Sequence, residues 1–141
     1  PRKDERQLVS NIDIVPTILF AAGIKPSASL PGINLLDEKA VAKRNTIFLS
    51  NFAHDMVSAT EPEKSLWTRS CIHGKWKLVA WIETPPNVRP WAGGHRHKNP
   101  DTNLELFDLL ADPHETKNLA NAHPEVVRDL AARIDDWWKV D

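Results

Sequence analysis

The sequence predicts an α+β fold in which short strands are covered by one C-terminal amphipathic helix and are preceded by a further helix and a connector. Three observations carry this reading. "TIFLSNF", "LWTRSCI" and "KWKLVAWI" have the short, aromatic and β-branched composition of strands, and the last two are joined at His73-Gly74 as a hairpin. "LELFDLL" supplies a fourth strand, bounded by polar residues and ended by Asp112-Pro113. From Pro124 onward, Val127, Leu130, Ala131, Ile134, Trp137 and Trp138 recur at three- and four-residue steps, while Arg128, Asp129, Arg133, Asp135 and Lys139 take the other side.

Taken in order, "SNIDIVPTILFAAGIKP" predicts a helix over about 11–23. Asn11 or Asp13 caps its start, Pro16 is tolerated in the first turn, and Gly23 suits the stop. Ile14, Ile18, Leu19 and Ala22 share one face, which is expected to be buried. "KPSASLPGINLLDEKAVAKRN" has a Pro31-Gly32 turn and no sustained period, so it reads as a surface connection, with a boundary near Arg44. In the hairpin, Gly74 provides the positive φ of a tight turn. Trp76 and Trp81 are an odd number of residues apart and belong on opposite faces of their strand. At the last strand's end, Pro113 forces Asp112 out of helical geometry, and the Asp112 carboxylate can accept backbone N–H bonds two or three residues on. Glu115 has capping-box spacing from Asp112, so both carboxylates read as turn holders.

Composition narrows the function. The 141 residues are 41% hydrophobic and 26% charged, which suits one globular domain or a piece of a larger one. Eighteen basic residues stand against nineteen acidic ones, so no overall charge draws the chain to nucleic acid or an anionic membrane, and neither is an expected partner. The apolar run Ile14 to Ile24 is too short to span a bilayer. Cys71 is the only cysteine, which excludes an internal disulfide and reads as a small buried strand residue. The opening "PRKDERQLVSN" has no signal-peptide core and no Met, and is expected to belong to a chain entered partway along.

Three blocks in this order resemble a known family. "NIDIVPTILFAAGI" with "LPGINLL" is similar to the sulfatase pattern of Asp, two residues, Pro-Thr, a short apolar helix, Gly, a Pro/Gly turn and a Leu-rich stop. "RSCIHGKWKLV" resembles the family's Arg-led hairpin with its aromatic-Lys-Leu strand. "ELFDLLADPHETKNLA" is similar to its Glu-Leu-aromatic-Asp-Leu, Asp-Pro, Glu, Asn-Leu-Ala signature. The resemblance is to the C-terminal part of a sulfatase, arylsulfatase-like and of the alkaline-phosphatase-like superfamily. It implies that residues 1–43 are the tail end of a catalytic α/β domain and that 44–141 are the C-terminal subdomain, a four-stranded antiparallel sheet with a packed helix. It also implies that the chemistry lies in an N-terminal catalytic domain of the same polypeptide, where a Cys within Cys-x-Pro/Ala-x-Arg becomes formylglycine and Asp and Asn residues hold calcium. Cys71 does not match that motif, since Lys75 stands where Arg is needed. No catalytic residue, metal ligand or cofactor site is therefore expected in this segment, which alone should be inactive. Arg69 and Lys77 match hairpin positions and read as architectural. Export or a lysosomal location is implied by the resemblance alone.

One segment is not explained by packing. "PPNVRPWAGGHRHKNPDTN" is Pro/Gly-rich and gathers Trp91, His95, Arg96, His97 and Lys98 between two strands. Three readings stay open: a solvated loop, a metal site on His95 and His97, or a substrate rim on which Trp91 stacks a sugar while the cations meet a sulfated glycan or aryl sulfate. His54, after the first strand, is a further candidate for the rim. Two other functions compete with the sulfatase reading. One is a phosphonate or phosphate-ester hydrolase of the same superfamily, and the other is a non-catalytic module that binds sulfated glycan.

Overall fold

A four-stranded sheet of order β1-β2-β3-β4 is the central element of a computed structural model that describes residues 7–52, 58–82 and 103–139. The strands are β1 (Thr46–Phe52), β2 (Leu66–His73), β3 (Trp76–Trp81) and β4 (Leu104–Asp108). Three helices accompany them: α1 (Ile14–Ala21), α2 (Glu38–Lys43) and α3 (Pro124–Trp137). The chain divides into two compact units, Pro1–Ile47 and Phe48–Asp141.

Antiparallel register builds the core of the second unit. Cys71 pairs with Leu78 and Leu78 with Leu106, so these three residues form a row across β2, β3 and β4, each 0% exposed. Leu130 and Ile134, one helical turn apart on α3, are each 1% exposed and cluster with that row. The heptad-like stripe of α3 thus meets the period-2 stripe of the sheet. Trp76 packs against this cluster, whereas Trp81 lies on the opposite face, where its indole N–H donates to Glu105 Oε2 at 2.8 Å. The odd spacing of the two tryptophans is realised as expected. Gly74, at φ +58°, makes the β2–β3 turn.

Two features of the first unit bear on the sequence reading, of which the second is a departure from it. The face of α1 assigned to burial is open: Ile14 is 52% exposed and Ile18 61%, and Pro16 is the helix's only buried residue. The reason is that Ile14, Val15, Ile18 and Phe20 distribute apolar side chains all round an eight-residue helix, and its own short connector covers little of it. The connector, read as irregular, contains α2. Asp37 caps that helix by accepting from the N–H groups of Lys39 and Ala40, with Glu38 in the first turn and Lys43 in the last.

Truncation of the core tests this packing. Leu130→Ala is expected to destabilise the sheet unit by about 3 kcal/mol, read from urea unfolding followed by tryptophan fluorescence. Leu110→Ala, at a position 78% exposed, should shift stability by less than about 0.5 kcal/mol. Equal losses at the two positions would contradict the assigned core.

Candidate functional site

The polar residues that a search for chemistry would select sit at three junctions, each built from a carboxylate. In the first unit, Asp13 is 0% exposed and precedes α1. Its Oδ2 accepts the Ser10 N–H at 2.8 Å and the Arg44 Nη1 donor, and its Oδ1 accepts the Ile33 N–H at 2.8 Å and Arg44 Nη2 at 2.9 Å. Burial pushes the Asp13 carboxyl up, but the Arg44 guanidinium and the two backbone N–H groups outweigh it and hold the pKa below its usual value. Thr17 adds a second clasp. Its hydroxyl donates to the Asp13 carbonyl at 2.6 Å and accepts the Leu35 N–H at 2.9 Å. The capping roles considered for Asn11 and Asp13 become something wider, because the Asp13 carboxylate reaches back to Ser10 and forward across the connector. Gly32 is required for that approach. At φ +97°, an added Cβ would lie 2.4 Å from the Ile12 carbonyl oxygen.

The second junction ends β4. Asp108 Oδ2 accepts Lys75 Nζ at 2.6 Å while its Oδ1 accepts the Leu110 and Ala111 N–H groups, and the Lys75 bond leads the causes that lower its pKa. Lys75 also stands over the Trp76 ring, 4.5 Å from its centroid. Four residues on, the Asp112 carboxylate accepts the Lys117 N–H at 2.8 Å and both the N–H and hydroxyl of Thr116, and its pKa too is held low, first by the Lys117 N–H. Asp112 therefore holds the turn as expected, with the His114 N–H two residues on among its partners and further bonds that reach four and five residues on.

Glu115 corrects the capping-box reading. Its carboxylate turns to the sheet and takes Lys77 Nζ on both oxygens, at 2.7 and 2.8 Å. Glu115 sits at φ +54°, a left-handed conformation rare for a non-glycine residue, and the charge pair compensates that backbone geometry. Asn118 then closes the outer edge of β4: its Oδ1 accepts the Leu106 and Ala120 N–H groups, and the Leu119 N–H donates to the Leu106 carbonyl.

The third junction anchors the end of α3. Arg69 Nη1 donates to Asp135 Oδ1 at 3.0 Å and to the Trp138 carbonyl, an architectural role like that of Lys77. Nearby, Phe48 stacks on Trp137 with centroids 5.0 Å apart. Cys71 is 0% exposed and burial pushes its thiol up to about 11, far from the thiolate that nucleophilic chemistry needs.

Acid–base or nucleophilic chemistry needs groups not already committed. Asp13, Asp108, Asp112 and Glu115 each hold backbone N–H groups or a cation. Among the described residues, no three His, Cys, Asp or Glu side chains are grouped to hold a metal ion. The rim candidates Trp91, His95, Arg96, His97, Lys98 and His54 lie outside the described residues. The stems of the segment that carries five of them are described: the Trp81 N–H donates to the Asn103 carbonyl and the Ile82 N–H to the Trp67 carbonyl, each at 2.8 Å. The segment leaves and rejoins the sheet at one place.

No family model matches the chain. It is 35% identical over 72 residues to an N-acetylgalactosamine-6-O-sulfatase of Bacteroides thetaiotaomicron, covering 48% of this chain and 13% of the relative. It is 30% identical over 139 residues to arylsulfatase K of Gallus gallus, covering 87% of this chain and 21% of the relative. The segment is a C-terminal part of the sulfatase family. Among solved structures, a 2-O GAG sulfatase matches 89% of the segment at TM-score 0.59 and 22% identity, covering 23% of that chain. The phosphonate monoester hydrolase of Agrobacterium radiobacter matches 96% at TM-score 0.59 and 21% identity, covering 25% of that chain. Both share the α+β fold of this segment. The segment spans about a fifth or less of the length of the two curated relatives.

With these bonds assigned, the sulfatase signatures read as structure. Asp13, Pro16, Thr17 and Gly32 serve the first junction, and Asp108, Asp112, Glu115 and Asn118 serve the second. The ion pair from Asp13 to Arg44 and that from Lys77 to Glu115 join residues 31 and 38 positions apart, beyond any local spacing rule.

Two outcomes follow from this geometry. A thiol reagent at pH 8 should leave Cys71 unlabelled in the folded protein and label it fully in denaturant; fast native labelling would contradict its burial. Gly32→Ala should destabilise the first unit by more than about 1 kcal/mol, seen as earlier loss of protection for the Ile33 and Leu35 amides, because the Ile12 backbone blocks the new methyl.

Proposed function

We propose that this segment is the scaffold end of an enzyme that hydrolyses sulfate esters, with the catalytic residues outside the segment. In this reading residues 1–43 finish the catalytic α/β domain and 44–141 form the subdomain that closes it. The observation that carries it is the commitment of the signature carboxylates to structural bonds, Asp13, Asp108 and Asp112 to backbone N–H groups, Glu105 to the Trp81 indole and Glu115 to Lys77, together with an α1 that is apolar all round. A helix of that kind belongs inside a larger body. The catalytic domain of the same polypeptide is the partner that would enclose it, and that domain would carry the formylglycine nucleophile and the calcium ion.

Sulfated glycan is the substrate class favoured here, since the similar proteins include an N-acetylgalactosamine-6-O-sulfatase and a 2-O GAG sulfatase. The β3–β4 segment with Trp91, His95, Arg96, His97 and Lys98, and His54 after β1, would then edge the substrate's approach. Cations meet sulfate groups and the indole meets a sugar face. A second reading, hydrolysis of phosphonate monoesters, is favoured by the fold match to the Agrobacterium enzyme.

The experiment is a mass map of the protein as its source makes it, followed by turnover assays. A longer polypeptide with a cysteine converted to formylglycine, and sulfate released from glycosaminoglycan oligosaccharides faster than phosphonate from aryl phosphonates, is the expected result. Faster phosphonate hydrolysis overturns the sulfatase reading, and turnover by the 141-residue chain alone overturns the scaffold reading. In the active protein, the double variant Arg96→Ala and Lys98→Ala should raise KM for a sulfated oligosaccharide roughly three- to tenfold with kcat unchanged. An unchanged KM removes the loop from the rim.

A further inference from the structure

The first unit has almost no apolar core. Among its described residues, only Asp13, Pro16 and Val41 are buried, so the most deeply enclosed group is a carboxylate. Residues 33–44 link α1 to β1, and α2 within them is only six residues long, too short to persist without tertiary support. Three points tie this stretch down. Ile33 donates to Asp13 Oδ1, Leu35 donates to Thr17 Oγ1, and Arg44, the C-cap of α2, forks onto both Asp13 oxygens.

Two of the three ties end on one carboxylate, and the third ends on the hydroxyl that grips the same residue's carbonyl. Arg44 is only 13% exposed, so deleting its partner leaves a largely enclosed guanidinium with no compensating charge, a costly state that opening relieves. The sheet unit has nothing of this kind at its centre. Its core is the Cys71, Leu78 and Leu106 row with Leu130 and Ile134.

We propose that Asp13 and Arg44 form a latch that keeps the tether 33–44 folded, and that breaking it releases the tether as one cooperative unit while β2, β3, β4 and α3 stay folded. The latch is a conformational device within the first unit. It operates whether or not the parent protein cleaves sulfate esters, so its test is independent of the functional assay. Opening changes a short, clasped link into a dozen free residues and frees the register of α2.

Hydrogen exchange with peptide-level resolution on the full protein at neutral pH tests it. Asp13→Asn keeps the side chain's shape and removes its charge. It should accelerate exchange of the Ile33, Leu35 and α2 amides by about tenfold or more, with β2 and β3 amides such as Cys71 and Leu78 unchanged within about twofold. Trypsin should correspondingly cut faster after Lys39 and Lys43. If Asp13→Asn fails to fold, Arg44→Gln decides by the same readings, because it leaves the Ser10 and Ile33 bonds in place, and Arg44→Lys should restore part of the protection. Acceleration of equal size in the tether and the sheet overturns the proposal, as does a tether whose exchange does not change.

Discussion

The polar junctions among the described residues answer to one constraint: a carboxylate withdrawn from water must recover its solvation from N–H groups and cations. Asp13 meets it with two backbone amides and a forked guanidinium. The connector lies where it does because its amides are the ones recruited. Gly32 is glycine because the recruited backbone passes against the Ile12 carbonyl. In this unit apolar burial is minor, and the direction of the chain is set by electrostatics.

The sheet unit applies the same rule at its rim and the hydrophobic effect at its centre. Leu78, Leu106, Leu130 and Ile134 supply the driving force, since each is almost wholly removed from water. That force is non-directional and does not decide how the chain leaves β4. Asp108 and Asp112 decide it by gathering the amides of the following turns, and Asn118 brings the chain back along the strand's open edge. Glu115 shows how far the rule extends. Its backbone adopts a conformation that favours glycine, and its side chain gains a lysine from the sheet in exchange.

The division between legible and illegible features follows the range of each interaction. β1 was readable from its aromatic and β-branched composition, and α3 from three- and four-residue steps, because both signals lie within a few consecutive residues. Trp76 and Trp81 were placed on opposite faces by parity alone. The helix α2 escaped notice because six residues carry no period, although Asp37, Glu38 and Lys43 mark its ends. Glu115 was misassigned because its partner, Lys77, is 38 residues away while a plausible local partner stood three residues off. Asp13 was recognised as a helix-start residue, but nothing near it in sequence announces Arg44. For α1, periodicity tells which residues seek burial and not which part of the chain provides it, and among the described residues that face stays open.

The signatures that carry the sulfatase resemblance are, residue by residue, the groups that solve these solvation problems. A motif of Asp, Pro, Thr and Gly invites a search for acid–base or metal chemistry, yet Thr17 is occupied at both donor and acceptor and each Asp oxygen at the first junction has two donors. A group so fully engaged is poorly suited to move a proton, because each bond stabilises its ionised form and draws its pKa away from the working range. Trp81 and Asn103, which flank the stretch between β3 and β4, are held together by a backbone hydrogen bond. The described carboxylates thus fix the path of the chain, and their place in the signatures is explained by solvation without recourse to a reaction.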